Sequence, residues 1–480
     1  MKLIYFIMFS VVSIVEGVRI LQDERAVDIS VTDMYTTSVK KRVGLSTLNI
    51  GDSDKRRSRG AVPFKTVMQD MKPGLLRFPG GIEASSYLWA SSPSWDPVSH
   101  SPVVKSSKLL PQGFDNVLKD GNFVDAVNFD EFMDVANSVG AEVTIVINFE
   151  SMYTKGGPSK EILIETAVRW VRYCKEKGYT NVKFWEIGNE TDMKSSYNGM
   201  IDDGTVYGND AKDFIIAMKS EDPSILVGVN GFHKDFMKDT LDTVGEYIDF
   251  FVIHPYPFHG FMDGYTNFMN GEGYYNNLYD DATWALRMST ISKGKKDNIF
   301  FLVTETGVID WKVMETGDGW VGNDVGHALG LFELIGKLMS YERVYSSLIW
   351  TTHWVQRKLT EKTENYNILS DTNEYNAIAH GMLPWSRSGD GRMKQVKYDS
   401  NEISVYALDN GNETVIMMLN KMEYPVKINL LFDKTVSYAY AYRGDATDSK
   451  TFIVEKMEPK IPPVLQKLSM TVVEFKNYAG

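Results

Sequence analysis

The chain has 480 residues, a formal net charge of −12, and 43% hydrophobic and 12% aromatic residues. That length accommodates two domains, one as large as an α/β barrel, and the apolar content marks a folded, globular chain. The acidic balance argues against the basic face that phosphate binding needs, and so against a nucleic-acid partner.

At the N-terminus Lys2 precedes an apolar run from Leu3 to Val15, and Gly17 offers a cleavage point. Residues 1–17 therefore read as a secretory signal peptide, too short to persist as an anchor. No other stretch approaches ~18 apolar residues, so the mature chain is expected to be secreted, extracellular and without a membrane anchor. The single cysteine, Cys174, shares an apolar helical face with Ala167, Trp170 and Val171 and reads as a buried thiol, which leaves no intrachain disulfide.

Val27 to Val31 alternates like an outer strand, and residues 18–40 are expected to lend a strand to a C-terminal sheet. Eight apolar runs follow: Arg42 to Leu48, Gly74 to Phe78, Glu142 to Asn148, Val182 to Gly188, Ile225 to Asn230, Ile248 to His254, Ile299 to Thr304 and Ser346 to Thr351. Most are continuous rather than alternating, as in strands buried on both faces. Helical patterns separate them, among them Phe129 to Val139, Lys160 to Lys177, Asp210 to Ser220 and Asp324 to Ser340. Eight strands with helical crossovers predict an α/β fold, a (β/α)8 TIM barrel over residues 41–385, with its active site at the C-terminal ends of the strands. From Gln395 the pattern changes to short alternating strands, with Asp409-Asn410-Gly411-Asn412 as a hairpin turn. Residues 386–480 are expected to form a β-sandwich that partners the barrel.

Two of the barrel runs end in a glutamate. Phe184-Trp185-Glu186-Ile187-Gly188-Asn189-Glu190 closes the fourth strand, and Val303-Thr304-Glu305-Thr306-Gly307 the seventh. A buried carboxylate is costly unless paired or used. Two of them on separate strand ends suit glycoside hydrolysis, where a general acid/base and a nucleophile stand ~5–5.5 Å apart in retaining enzymes. Only a closed fold brings residues so distant in sequence together. Glu190 is the expected acid/base, Glu305 the nucleophile, and Asn189 a hydrogen-bond partner of a sugar hydroxyl near the reacting carbon. Glu186 lies deeper in the strand and requires a partner such as Arg77, while Glu150 and Glu83 read as structural or subsite residues. His254 and His259 lack a third ligand at metal-site spacing, and the G-x-G-x-x-G match at 317–322 lacks its strand–turn–helix context, so neither metal nor cofactor is expected. The long stretch from Phe258 to Trp284 should shape the substrate cleft.

These motifs resemble the retaining glycoside hydrolases of clan A: W-E-I-G-N-E, V-T-E-T-G, and His254-Pro255-Tyr256 on strand six. Arg77-Phe78-Pro79-Gly80-Gly81 is similar to the α-L-arabinofuranosidase family in particular, and the C-terminal sandwich to that family and to the xylosidase and heparanase-like families. The resemblance implies that Tyr256 hydrogen-bonds the nucleophile, that Arg77 supports it from below, and that Trp350 forms part of the sugar platform. Asn148 and His254, at the ends of the third and sixth strands, complete the expected substrate-binding set. The chain departs from the arabinofuranosidase pattern at Ile82, usually asparagine, and at Thr306, usually tryptophan, which leaves the sugar open. The expectation is a secreted retaining glycosidase acting on an oligo- or polysaccharide by double displacement. The alternative is a catalytically inactive carbohydrate-binding protein on the same fold.

Overall fold

The computed structural model describes residues 26–38, 40–90, 102–107, 117–193, 201–256, 264–270, 278–311, 313, 319–320, 322–355 and 363–477. The expected signal peptide, His259 and parts of the stretch after the sixth barrel strand lie outside them.

Eight parallel strands close a barrel: Arg42–Ser46, Leu75–Phe78, Glu142–Ile147, Val182–Ile187, Leu226–Asn230, Phe250–Ile253, Phe300–Thr306 and Val344–Trp350. The eighth pairs with the first, Ser346 opposite Arg42 and Trp350 opposite Ser46. Each falls on an expected run, trimmed or extended at its ends. The helices between them start and stop where their caps dictate. Asn128 and Glu131 form a reciprocal capping box before Phe129–Val139, and Gly140 ends that helix at φ 70°. The helix expected from Asp210 begins earlier, at Gly204, because Asp203 accepts from the Thr205 and Val206 amides. Three amphipathic helices, Phe64–Met71, Lys234–Val244 and Leu278–Met288, and a small antiparallel sheet built on Tyr87–Ala90 and Pro102–Ser106 were not expected.

Strand side chains alternate between the barrel interior and the helical shell. The interior is plugged by Leu75, Phe184, Phe250, Val252, Leu302 and Leu348. Two residues further along their strands, Arg77, Glu186 and Thr304 rest on this plug, joined by Thr144, all fully buried. An apolar floor thus carries a charged layer at the level where the strands end.

Nine strands form the second sheet. Val27–Tyr35 lies inside it, antiparallel to Arg392–Lys397 and parallel to Val426–Leu431. Arg392–Lys397, Ile453–Lys456 and Val464–Leu465 are additions to the strands expected from sequence. The sheet curls around Ile29, Val405, Ile416, Met418, Val473 and Phe475. The opposite parity, Tyr406, Leu408, Val415, Met417, Met470 and Val472, joins the main core with the barrel helices. Hence both faces are apolar, and the sheet is docked on the barrel rather than tethered to it. Among the described residues no helix is long and apolar enough to cross a membrane.

Candidate active site

The charged layer is organised by Arg77 on the second barrel strand. Its Nε and Nη2 donate to Glu186 Oε2 at 3.1 and 2.9 Å, its Nη1 to Glu305 Oε1 at 2.5 Å, and Nη2 also to Asn189 Oδ1 at 2.8 Å. One guanidinium therefore ties the second, fourth and seventh strands. Burial by itself would lower the Arg77 pKa, but the Glu186 and Glu305 carboxylates outweigh it and hold it above the usual arginine range. Glu186 is completed by Thr144 Oγ1 at 2.8 Å and Thr304 Oγ1 at 3.3 Å.

Thr304 and Glu305 are neighbours in sequence, yet both reach this layer. The ladder between the seventh and eighth strands shifts register between Val303 and Thr306, and such an irregularity re-aims a side chain. Glu305 Oε2 accepts from Tyr256 Oη at 3.0 Å. Burial raises the Glu305 pKa, with His254 and Arg77 pulling it down and Glu190 pushing it up. Burial and then the Glu305 charge hold the Tyr256 hydroxyl well above its usual range, so it stays protonated and donates.

Glu190 arrives from the fourth strand through a turn in which Gly188 has φ 78° and Glu190 itself φ 48°. Its Oε1 lies 3.0 Å from His254 Nδ1. The hydrogen bonds around His254 fix its tautomer. Thr304 spends its only proton on Glu186, so it accepts from His254 Nε2 at 3.0 Å. Nε2 then carries a proton, and Glu190 and Nδ1 share one more between them. Glu190, His254 and Glu305 each offer a ligand atom within 4.8 Å of the others. As a metal cage this trio would compete with Arg77 and Tyr256 for Glu305; its donor set fits a shared-proton acid and a clamped carboxylate better.

The walls are aromatic. Trp350 packs with Leu48, Ile309 and Tyr366, and a Cβ placed on Gly81 would lie 2.8 Å from both Glu305 Oε1 and Trp350 Cη2. Edge-to-face contacts link Tyr256 to Trp311, Trp311 to Trp354 and Trp354 to Trp350 at 5.2, 5.7 and 5.7 Å. Trp89 is instead stacked on Trp170 in the core, and Trp320 is buried.

Known proteins share part of this sequence and the fold that carries the site. A family model described as "Alpha-L-arabinofuranosidase 1 domain" matches residues 67–271. The chain resembles the clan A glycoside hydrolases. Among curated proteins, an intracellular exo-α-(1→5)-L-arabinofuranosidase of Halalkalibacterium halodurans is 28% identical over 205 residues, 40% of this chain and 38% of that protein. One of the same description from Acetivibrio thermocellus is 24% identical over 212 residues, 40% of this chain and 37% of that protein. The match thus spans under two-fifths of the length of those relatives. Among solved structures, the α-L-arabinofuranosidase of Thermotoga maritima in complex with arabinose superposes with a TM-score of 0.68 at 16% identity, covering 94% of this chain and 100% of that one. A GH30 endoxylanase from Clostridium papyrosolvens reaches 0.55 at 14% identity, covering 94% and 100%. At these identities the structural likeness concerns the fold, a TIM barrel with a C-terminal β-sandwich.

Of the residues picked from sequence, Arg77, Asn189, Glu190, His254, Tyr256, Glu305 and Trp350 converge at one end of the barrel. Asn148 is occupied by the scaffold: Nδ2 donates to the Tyr87 carbonyl at 3.3 Å and Oδ1 accepts from Ser151. Sequence reading gave no role to Thr144, Thr304 or Asn230. All three are polar residues inside or ending otherwise apolar strands, the signal that singled out Glu186.

Proposed function

We propose that this chain is a secreted retaining glycoside hydrolase that cleaves an oligo- or polysaccharide by double displacement. The observation that carries the reading is the approach of Glu190 and Glu305, whose oxygens come within 4.8 Å, a spacing that suits a nucleophile rather than an intervening water. Arg77 and Tyr256 both donate to Glu305 and favour its ionised form. Glu190, sharing a proton with His254, donates to the glycosidic oxygen while Glu305 attacks the anomeric carbon. Glu190 then takes a proton from water, which releases the sugar from the ester. The carboxylate charge of Glu305 vanishes on ester formation, so the Glu190 pKa falls and Glu190 is left ionised at the moment it must act as base.

The names of the curated relatives put α-L-arabinofuranosides first among substrates to test. Ile82 and Thr306 keep xylosides and glucuronides on the panel. Secretion rests on the apolar run Leu3 to Val15; expression of the full-length chain and recovery from the medium of a product shortened at its N-terminus test it. The activity test is hydrolysis of aryl glycosides and of plant, algal and animal polysaccharides, with Glu190→Ala and Glu305→Ala as controls. Cleavage by the wild type and not by Glu305→Ala is expected. Silence of the wild type on every substrate, with glycan binding intact, would make it a carbohydrate-binding protein.

A further inference from the structure

We infer that Glu150 is a positioning residue for Glu190, an inference that rests on the acid/base role just proposed. Glu150 follows the third barrel strand and is buried. Its Oε1 accepts from the Asn189 amide at 2.8 Å and from Thr191 Oγ1 at 2.9 Å, the residues on either side of Glu190. The turn is molded around this oxygen, since a Cβ on Gly188 would lie only 2.2 Å from it. From the opposite side Asn230 Oδ1 accepts from the Thr191 amide at 2.8 Å. Its Nδ2 donates to the Ile187 carbonyl at 3.0 Å and to Thr191 Oγ1 at 3.1 Å. Asp192 then anchors the chain to the Phe232 and His233 amides.

The need for this bracket is visible in the backbone. Glu190 has φ 48°, a left-handed conformation that a side chain with a Cβ adopts at a cost and that persists only where the surroundings over-determine it. Residues 189 and 191 are each held, while Glu190 keeps its carboxyl at the site, against His254. Glu150 works by accepting two hydrogen bonds, which a neutral glutamine oxygen does as well as a carboxylate. Burial, opposed by those same hydrogen bonds, holds its pKa above the ordinary glutamate value, in keeping with a role that does not need the charge.

The test pairs Glu150→Ala with Glu150→Gln. On the glycoside the wild type cleaves, Glu150→Ala should lower kcat by about 10²-fold for alkyl leaving groups, which need the acid, with KM nearly unchanged. It should lose far less on dinitrophenyl glycosides, which need no proton to depart, and Glu150→Gln should return to within about threefold of wild type on both. Equal losses on the two leaving groups, or none, would overturn the inference. A crystal structure of Glu150→Ala reads the positioning independently of turnover. Glu190 should leave the left-handed region and its contact with His254, and an unmoved Glu190 would refute the bracket. A wild type silent on every glycoside, with Glu190 displaced in the variant, would sink the hydrolase reading and leave the bracket standing.

Discussion

Glu305 sits under opposing influences, and their balance is measurable. Burial raises its pKa, Glu190 raises it further, and His254 and Arg77 lower it. The nucleophile role proposed for Glu305 requires it to be ionised, so activity should be present above this pKa and lost as pH falls through it. The acid limb of kcat/KM is therefore expected above the ordinary glutamate value of ~4.3. Replacing Glu190 by glutamine removes a repulsive charge, so with a dinitrophenyl glycoside, which bypasses the missing acid, that limb should move to lower pH. Movement upward would contradict the assignment of Glu305. At the same scale Gly81 is fixed by space: a Cβ would press on Glu305 Oε1 and Trp350 at once. Gly81→Ala should cost about 10²-fold in kcat/KM, the order expected of a displaced reacting group, while urea denaturation shows the fold intact.

At the scale of elements, strands that differ in sequence position become neighbours through one guanidinium. Arg77 on the second strand holds Glu186 of the fourth and Glu305 of the seventh, with the threonines of the third and seventh filling the remaining positions on Glu186. Deleting one partner of a buried ion pair strands the other, at about 3–5 kcal/mol. Arg77→Met should thus lower unfolding stability by about that amount, read from denaturant midpoints at unchanged m-value. A loss under about 1 kcal/mol would mean that the layer does not depend on this cation. The apolar floor closes the layer from beneath: Phe184 and Leu302 face inward one step below Glu186 and Thr304.

For the whole molecule, the seam between barrel and sheet carries its own titratable group. His380 lies against Phe452, Tyr442 and Tyr375 at ring separations of 4.9, 5.8 and 6.3 Å. Burial, and then Arg387, depress its pKa to about 4. An unfolded histidine titrates near ~6.5, so between those values the unfolded chain binds the extra proton. Stability should be undiminished above pH ~6.5 and fall as pH drops toward 4, by about 3 kcal/mol at most from this residue. Thermal melts of His380→Phe against wild type over that range should show a flatter dependence; parallel curves would acquit the histidine. Backbone and side-chain contacts join barrel and sheet across the same seam. The Val325 and Gly326 amides donate to Ser449 and Thr447 carbonyls, and Glu333 meets both Lys421 and Tyr406 across it.

The sequence by itself determined the eight barrel strands and the alternating strands of the sheet, because hydrophobic periodicity is a local record of burial on two faces or one. It also marked Glu190 and Glu305, since an acidic residue ending an apolar strand is conspicuous without any contact. Only the tertiary structure decided the rest. Ser151 and the Tyr87 carbonyl claim Asn148, while Glu150 faces the turn that carries Glu190, because loop geometry after the third strand orients each side chain and has no period to read. The tautomer of His254 depends on a threonine fifty residues away, and the paired faces of the sheet depend on what packs against them. Proton sharing and hydrogen-bond direction are properties of contacts between distant strands, and those exist only once the barrel has closed.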